Sequence, residues 1–467
     1  MIAKQKERKP LLGLCPIGKF VFSNEDALRY KGLLQNKLQQ WRIPYVDLEH
    51  VLDDGLVKDH RQVDTVVDHF KKAGVECLFV PHCNFGTESA VGMIAKKLNL
   101  PTLLWGPRDE APLPDGRRLC DTLCGLLASS KVLHRVGVPF SYIENCWIDD
   151  DPLQEGVDRF LRVVNVANAF RKGFKVGLVG SRIDFFWNTI IDEGELLNRF
   201  NVEVQTFDMV EFIRAAKERA VRERVGYEEE LRELQRRLTI TGFHDSAPLI
   251  NVLAVRDELQ SLAAQFNLEG FAFRTFMSII EEIGSYCSFA ESAVTENYAF
   301  GHECDIHGTI SEVLLRRANF NAVPSYLAEF TVRHPTNENA VLLWHISAPL
   351  SMCHPEVTPE IGPHWILPSP YSGMLHFRLK DGPVTVARFD GGQGEYKLGV
   401  GVGKSVDGPK TLNNYLWLGV NDWPKWERTL ISGPFVHHIA MAYGNYVPIL
   451  LEACQYIPGV EPVEFGS

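Results

Sequence analysis

The chain has 467 residues, 45% of them hydrophobic, enough apolar material for two or three cores, which excludes a disordered or fibrous protein. Acidic residues outnumber basic ones, 59 to 48, giving a formal charge of −11 and a sequence pI of about 5.8, so nucleic acid is not an expected partner. No segment reaches the roughly 18 consecutive apolar residues of a membrane span, and the basic opening lacks the apolar stretch of a signal peptide. A cytoplasmic protein without a membrane partner is expected.

In chain order, the first 165 or so residues alternate short β-rich runs at 11–14, 76–80 and 102–105 with helical periodicity, the pattern of an α/β domain with a parallel sheet. Cys15-Pro16-Ile17-Gly18, His82-Cys83-Asn84-Phe85-Gly86-Thr87 and Gly106-Pro107-Arg108-Asp109 follow those runs directly, where a parallel sheet faces its ligand crevice. A second α/β unit starts at 174–180 and runs into Ser181-Arg182-Ile183-Asp184-Phe185-Phe186-Trp187. There Arg182 offers a donor fork and Trp187 a flat face to a polar ligand, or both serve a domain interface. Mixed charges over 211–237 mark solvated helix faces, and helical spacing returns at 252–266 and 310–318. Beyond about 350, period-two alternation at 375–379, 384–389 and 396–400 predicts an antiparallel β module, plausibly a small barrel.

Ten cysteines are scattered without CxxC spacing and read as buried thiols; Cys120 and Cys124 are four apart, the spacing of a packed pair on a helix. No HExxH, phosphate-binding loop, nucleophile elbow or dinucleotide fingerprint is present. Cys83 has His82 beside it, but an inert thiol is the stronger reading than a nucleophile and base.

The densest polar constellation is Glu281-Glu282, Glu291 and His302-Glu303-Cys304-Asp305-Ile306-His307-Gly308. It holds the carboxylates a hard divalent ion needs and the imidazoles a proton shuttle uses, although each carboxylate alone reads equally as solvated surface. Trp344-His345 and His437-His438 are further candidates for the same cleft. Adjacent histidines on a strand face opposite ways, so one of that pair at most should reach an ion. Imidazole with carboxylates suits manganese better than calcium.

The string Phe300-Gly301-His302-Glu303-Cys304-Asp305-Ile306-His307-Gly308-Thr309 resembles the Glu-x-Asp-x-x-Gly element of the L-fucose isomerase and L-arabinose isomerase superfamily, particularly its shorter L-fucose isomerase-like members. Residues 177–186 with Asp192-Glu193-Gly194-Glu195-Leu196-Leu197, the strand at 384–388, and Pro434-Phe435-Val436-His437-His438 resemble the family's second domain, C-terminal module and metal-histidine segment. The resemblance implies two Rossmann-like α/β domains, 1–170 and 171–350, followed by a C-terminal antiparallel β-barrel-like domain, 351–467. It implies a metal-dependent aldose-ketose isomerase working through a cis-enediol, with Asp305 and a Glu about two dozen residues earlier as metal and catalytic carboxylates. Glu281 is the assignment, Glu282 and Glu291 are the alternatives, and His438 or His437 completes the coordination of Mn2+ (or Mg2+ or Co2+). Arg182, Trp187, His345, Trp105 and Arg108 are the substrate-binding candidates. The implied substrate is L-fucose- or arabinose-like; an anionic hexose such as sulfoquinovose, a non-catalytic sugar-binding homologue and a lyase or epimerase are the alternatives. The family also implies a homo-oligomer (hexamer, tetramer or trimer) with sites near subunit interfaces.

Overall fold

A computed structural model describes residues 8–364 and 370–467; most of the basic opening lies outside them. The chain divides into two compact units, one formed by residues 7–165 and the other chiefly by 166–467.

The first unit is a parallel sheet of β1 (Leu12–Leu14), β2 (Tyr45–Val46), β3 (Cys77–Pro81), β4 (Thr102–Trp105) and β5 (Phe140–Tyr142), in the order β2-β1-β3-β4-β5. Helices α1 (Asn24–Gln40), α2 (Val63–Ala73), α3 (Glu88–Leu98) and α4 (Thr122–Val136) connect the strands. β1, β3 and β4 are buried along their whole length, which is why they read as continuous apolar runs rather than alternating ones. Cys120 precedes α4 and Cys124 is exposed on it, so the pair does not share a helix; all ten cysteines are free thiols.

Helix α5 (Asp151–Lys172) leads into the second unit. A four-stranded parallel sheet is built there from β6 (Phe174–Val179) and β7 (Val202–Phe207), then, after the short β8 (Thr239–Ile240), β9 (Leu268–Phe273) and β10 (Ala299–His302), in the order β10-β9-β6-β7. Helices α6 (Glu193–Phe200), α7 (Met209–Arg222), α8 (Arg224–Leu234), α9 (Ala247–Phe266), α10 (Ser278–Ile283) and α11 (Ser288–Thr295) accompany it. α12 (Ile306–Ala318) follows β10 and is buried along almost all its length. It packs on the sheet and also on strands of the third layer.

That layer comprises β11 (Tyr326–Arg333), β12 (Ala340–His345), β13 (Glu360–Pro363), β14 (Ser372–Arg378), β15 (Pro383–Gly392), β16 (Glu395–Val406), β17 (Asn414–Gly419), β18 (His438–Tyr443) and β19 (Val460–Glu464). The ring β16-β15-β18-β11-β12-β17 is antiparallel throughout and closes through β17 on β16, forming a six-stranded barrel. The architecture is thus two parallel α/β sheets followed by an antiparallel barrel. The barrel takes strands from both sides of residue 350, since β11 and β12 precede it. α13 (Trp423–Ser432) and α14 (Val447–Cys454) complete the chain. Among the described residues no helix is long and apolar enough to cross a membrane.

Candidate metal centre

The closed barrel brings three side chains to one place from three adjacent strands, and the parallel sheet contributes a fourth. Glu329 on β11 is paired with His438 on β18 and with Trp344 on β12, next to His345. Glu303 comes from the turn after β10, where Glu303 and Cys304 both adopt a left-handed backbone with φ of 59°. For non-glycine residues this costs about 1–2 kcal/mol each and persists only where the surroundings overdetermine it. Here the Cys304 amide donates to the Phe273 carbonyl at 3.1 Å and the Asp305 amide to the His302 carbonyl at 3.0 Å.

One ligand atom from each of Glu303, Glu329, His345 and His438 lies within 4.8 Å of all the others, and the group is largely withdrawn from water. His438 Nε2 is 3.2 Å from a Glu303 oxygen and 3.5 Å from a Glu329 oxygen, and His345 Nε2 is 3.6 Å from Glu329. These approaches are not aligned hydrogen bonds: Glu303 Oε2, His345 Nε2 and His438 Nε2 are all buried without a hydrogen-bond partner. Buried polar atoms that converge without bonding one another make this a candidate cation site. Burial pushes His345 well below the usual imidazole range, leaving a neutral ring. Burial raises Glu329, but His345, His437 and His438 outweigh it and hold the carboxylate well below its usual range. Burial likewise works against charge on His438, yet Asp305, Glu303 and Glu329 hold it well above the ordinary value. A cation entering here therefore replaces a proton on His438.

Behind the cluster, Asp305 is saturated. It caps α12 by accepting the Gly308 amide at 2.8 Å, takes both terminal nitrogens of Arg388, and faces His438 Nδ1 at 2.9 Å. Burial raises its pKa, but Arg388 and His438 prevail and keep it ionised. Arg388, itself fully buried, also donates to Asp390, which faces His307 Nδ1 at 3.1 Å. On the other side His302 stacks on His345 with ring centroids 4.7 Å apart, and Glu291 accepts from the Ser347 hydroxyl at 2.6 Å with His302 Nδ1 at 3.4 Å.

The residues singled out in the sequence are distributed unevenly about this centre. His438 is in the cluster. His437, 40% exposed at its side chain, only skirts it at 3.5 Å from Glu329. His345, expected against substrate, is instead among the four converging groups. Glu281 and Glu282 are exposed on or beside α10, and Glu282 pairs with Lys217, so neither enters the cluster; the carboxylates that do are Glu303 and Glu329. Asp305 stands behind a histidine with its oxygens already engaged, and Glu291 supports His302. Arg182 donates to the carbonyls of Ile183, Asp184 and Phe186, and Trp187 is 75% exposed with its N–H on the Asp184 carbonyl. In the first unit Trp105 is 1% exposed with its N–H on Cys146, so its face is closed to a sugar, while Arg108 lies over Trp147. His82 and Cys83 are both core residues: burial lowers His82 to about 4 and raises Cys83 to about 12.

Two parallel α/β sheets followed by an antiparallel barrel carry the four-residue cluster. Residues 13–171 match the fucose/sulfoquinovose isomerase N-terminal domain and residues 371–461 the L-fucose isomerase C-terminal domain, together more than half of the chain. The chain belongs to the L-fucose isomerase-like family, whose members are aldose-ketose isomerases. A sulfoquinovose isomerase from Alkalicoccus urumqiensis is 27% identical over 320 residues, 68% of this chain and 69% of that protein. A periplasmic solute-binding protein of an ABC transporter from Actinobacillus succinogenes 130z, solved with bound D-allose, is 15% identical over 68% of this chain and 94% of its own, at a TM-score of 0.18 that carries no argument.

Proposed function

We propose that the protein is a metal-dependent aldose-ketose isomerase acting on an anionic hexose of the sulfoquinovose type. The observation that carries this reading is the convergence of Glu303, Glu329, His345 and His438 with three orphaned polar atoms, in a chain related to a sulfoquinovose isomerase. The relative favours this substrate over the fucose- or arabinose-like sugars suggested by sequence.

Glu303, Glu329, His345 and His438 would hold the ion; two imidazoles and two carboxylates suit Mn2+ or a similar divalent metal. When bound, such an ion supplies Lewis-acid stabilisation of negative charge on the oxygens at C1 and C2. Moving hydrogen between those carbons also requires a proton acceptor and donor beside them. Glu303, with one oxygen unpartnered on a strained turn, and Glu329, held ionised, are the two carboxylates placed to take the C2 proton and return it at C1. Asp305 fixes the His438 ring through Nδ1, and His302, backed by Glu291, fixes the His345 ring by stacking.

The test incubates the protein with sulfoquinovose, L-fucose, L-arabinose and D-arabinose, with and without Mn2+, and follows ketose formation and C2 hydrogen exchange by NMR. Conversion of sulfoquinovose that depends on the metal is expected; sugar binding without exchange would identify a non-catalytic homologue. Assembly into a closed homo-oligomer, with residues 15–19, 82–87 and 105–109 contributing to a neighbour's site, is part of the same reading. A fully active monomer would overturn that part.

A further inference from the structure

The central sheet carries a basic residue, Arg274, at a strand end beside the cluster. Val179 at the end of β6 is in register with Phe273 at the end of β9, and Phe273 with His302 at the end of β10. One residue further along each strand stand Gly180, Arg274 and Glu303. Adjacent strands lie about 4.8 Å apart, so Arg274 emerges immediately beside the carboxylate-bearing turn. The arrangement is tied by the backbone: the Arg274 amide donates to the Val179 carbonyl and the Cys304 amide to the Phe273 carbonyl, each at 3.1 Å. The carboxyl ends of parallel strands are where α/β sheets take ligands.

Arg182 follows the same β6 end, next to Ser181, whose hydroxyl and carbonyl both accept from Arg274 Nη1. Among the described residues neither arginine is ion-paired, and Arg182 gives Nη1 to the carbonyls of Ile183, Asp184 and Phe186. Arg274 donates through Nη1 to Ser181, at 2.8 Å to its hydroxyl, which leaves its Nε buried without a partner. Thr275, 6% exposed, buries its hydroxyl, also without a partner. Unsatisfied buried donors cost about 1–3 kcal/mol each, so both call for an acceptor from outside.

We propose that Arg274, Thr275 and Arg182 form the subsite for the anionic end of the substrate, a sulfonate or an oxyanion of like shape, and so set the preference for a charged over a neutral hexose. This rests on the isomerase reading above. A sulfonate presents three acceptor oxygens, matching a guanidinium fork, a hydroxyl and a second guanidinium. One or two strand spacings, about 5 to 10 Å, separate the strand ends that carry these residues from that of Glu303, within the reach of an open-chain hexose whose C1 and C2 lie at the cluster.

The test compares the Mn2+-loaded wild type with Arg274→Met and Thr275→Val on sulfoquinovose and on the neutral 6-deoxy hexose of the same stereochemistry. Arg274→Met should raise KM for the sulfonated sugar by about 10- to 100-fold and Thr275→Val by about tenfold, with kcat/KM for the neutral sugar changed less than about twofold. Methanesulfonate should inhibit the wild type competitively and lose that effect in both variants. Equal losses on both sugars, or a charge preference surviving both substitutions, would overturn the subsite. Should Arg274→Met fail to fold, Thr275→Val, nearly the same shape, decides alone. A wild type indifferent to the sulfonate removes the anionic-substrate reading, and one that isomerises neither sugar removes the isomerase reading itself.

Discussion

Asp305 Oδ2 lies 2.9 Å from His438 Nδ1, while Arg388 engages both oxygens of the same carboxylate. The aspartate therefore acts on the ion site through a histidine. Asp305→Asn keeps the shape but strips the charge that fixes His438 and leaves Arg388 short of a counter-ion. Mn2+ affinity by calorimetry should fall about 10- to 100-fold, and denaturant unfolding should show a loss of about 3 kcal/mol. Unchanged affinity would make Asp305 purely structural.

Metal titration separates the two sets of carboxylates. Mn2+ at a hundred times its Kd should raise the unfolding free energy of the second unit by about 2.7 kcal/mol, and a chelator should reverse it. Glu303→Gln and Glu329→Gln should abolish the rise, whereas Glu281→Gln, altering an exposed side chain on α10, should leave it intact. A lost response in Glu281→Gln would return the ligand role to α10.

Gly308 offers a subtler probe. Its amide donates to Asp305, the N-cap of α12, and a β-carbon there would lie 2.6 Å from Asp305 Oδ2. Gly308→Ala should push the carboxylate off His438 and cost about 1–3 kcal/mol through crowding. Metal affinity and stability should fall together, measured on the same preparation.

Glu312, outside the four-residue cluster, carries a pH dependence of its own. It accepts the Phe300 amide at 2.9 Å and the Ser325 hydroxyl at 2.6 Å, and burial pushes it from 4.5 to about 7 despite Arg316 nearby. The folded value exceeds the unfolded one, so this contribution to stability is full below pH 4.5 and is lost as pH rises through 7, at a cost on the order of 3 kcal/mol. Glu312→Gln should unfold at higher denaturant than wild type at pH 8.5 and lose the advantage at pH 5. An identical pH profile in the two proteins would count against a shifted Glu312.

The layer order was legible because each layer writes a different period. The buried strands β1, β3 and β4 show as unbroken apolar runs, and β15 and β16 as alternation around Gly and Asp turns. The short β2, β8 and β13 have too few residues to carry a period. At the site, His438 was one of two neighbours separable only by knowing which way β18 faces. Asp305 proves to be the N-cap of α12, a role aspartates commonly take at the start of a helix. Glu329 was missed although it interrupts the β-forming run Tyr326-Leu327-Ala328-Glu329-Phe330, and a carboxylate there must be buried or solvated according to a register that only the closed barrel supplies. Glu281 rested on a residue count, and counts do not see which face of α10 is wet.

Because β18 is hydrogen-bonded to both β11 and β15, His438 reaches its place only when the ring of strands is finished. A nascent polypeptide emerging from the ribosome displays Glu303, Glu329 and His345 long before it displays His438, and three donors without the fourth make a poor trap. An ion held by all four groups would be captured only after tertiary closure, so its uptake kinetics would report the last step of maturation.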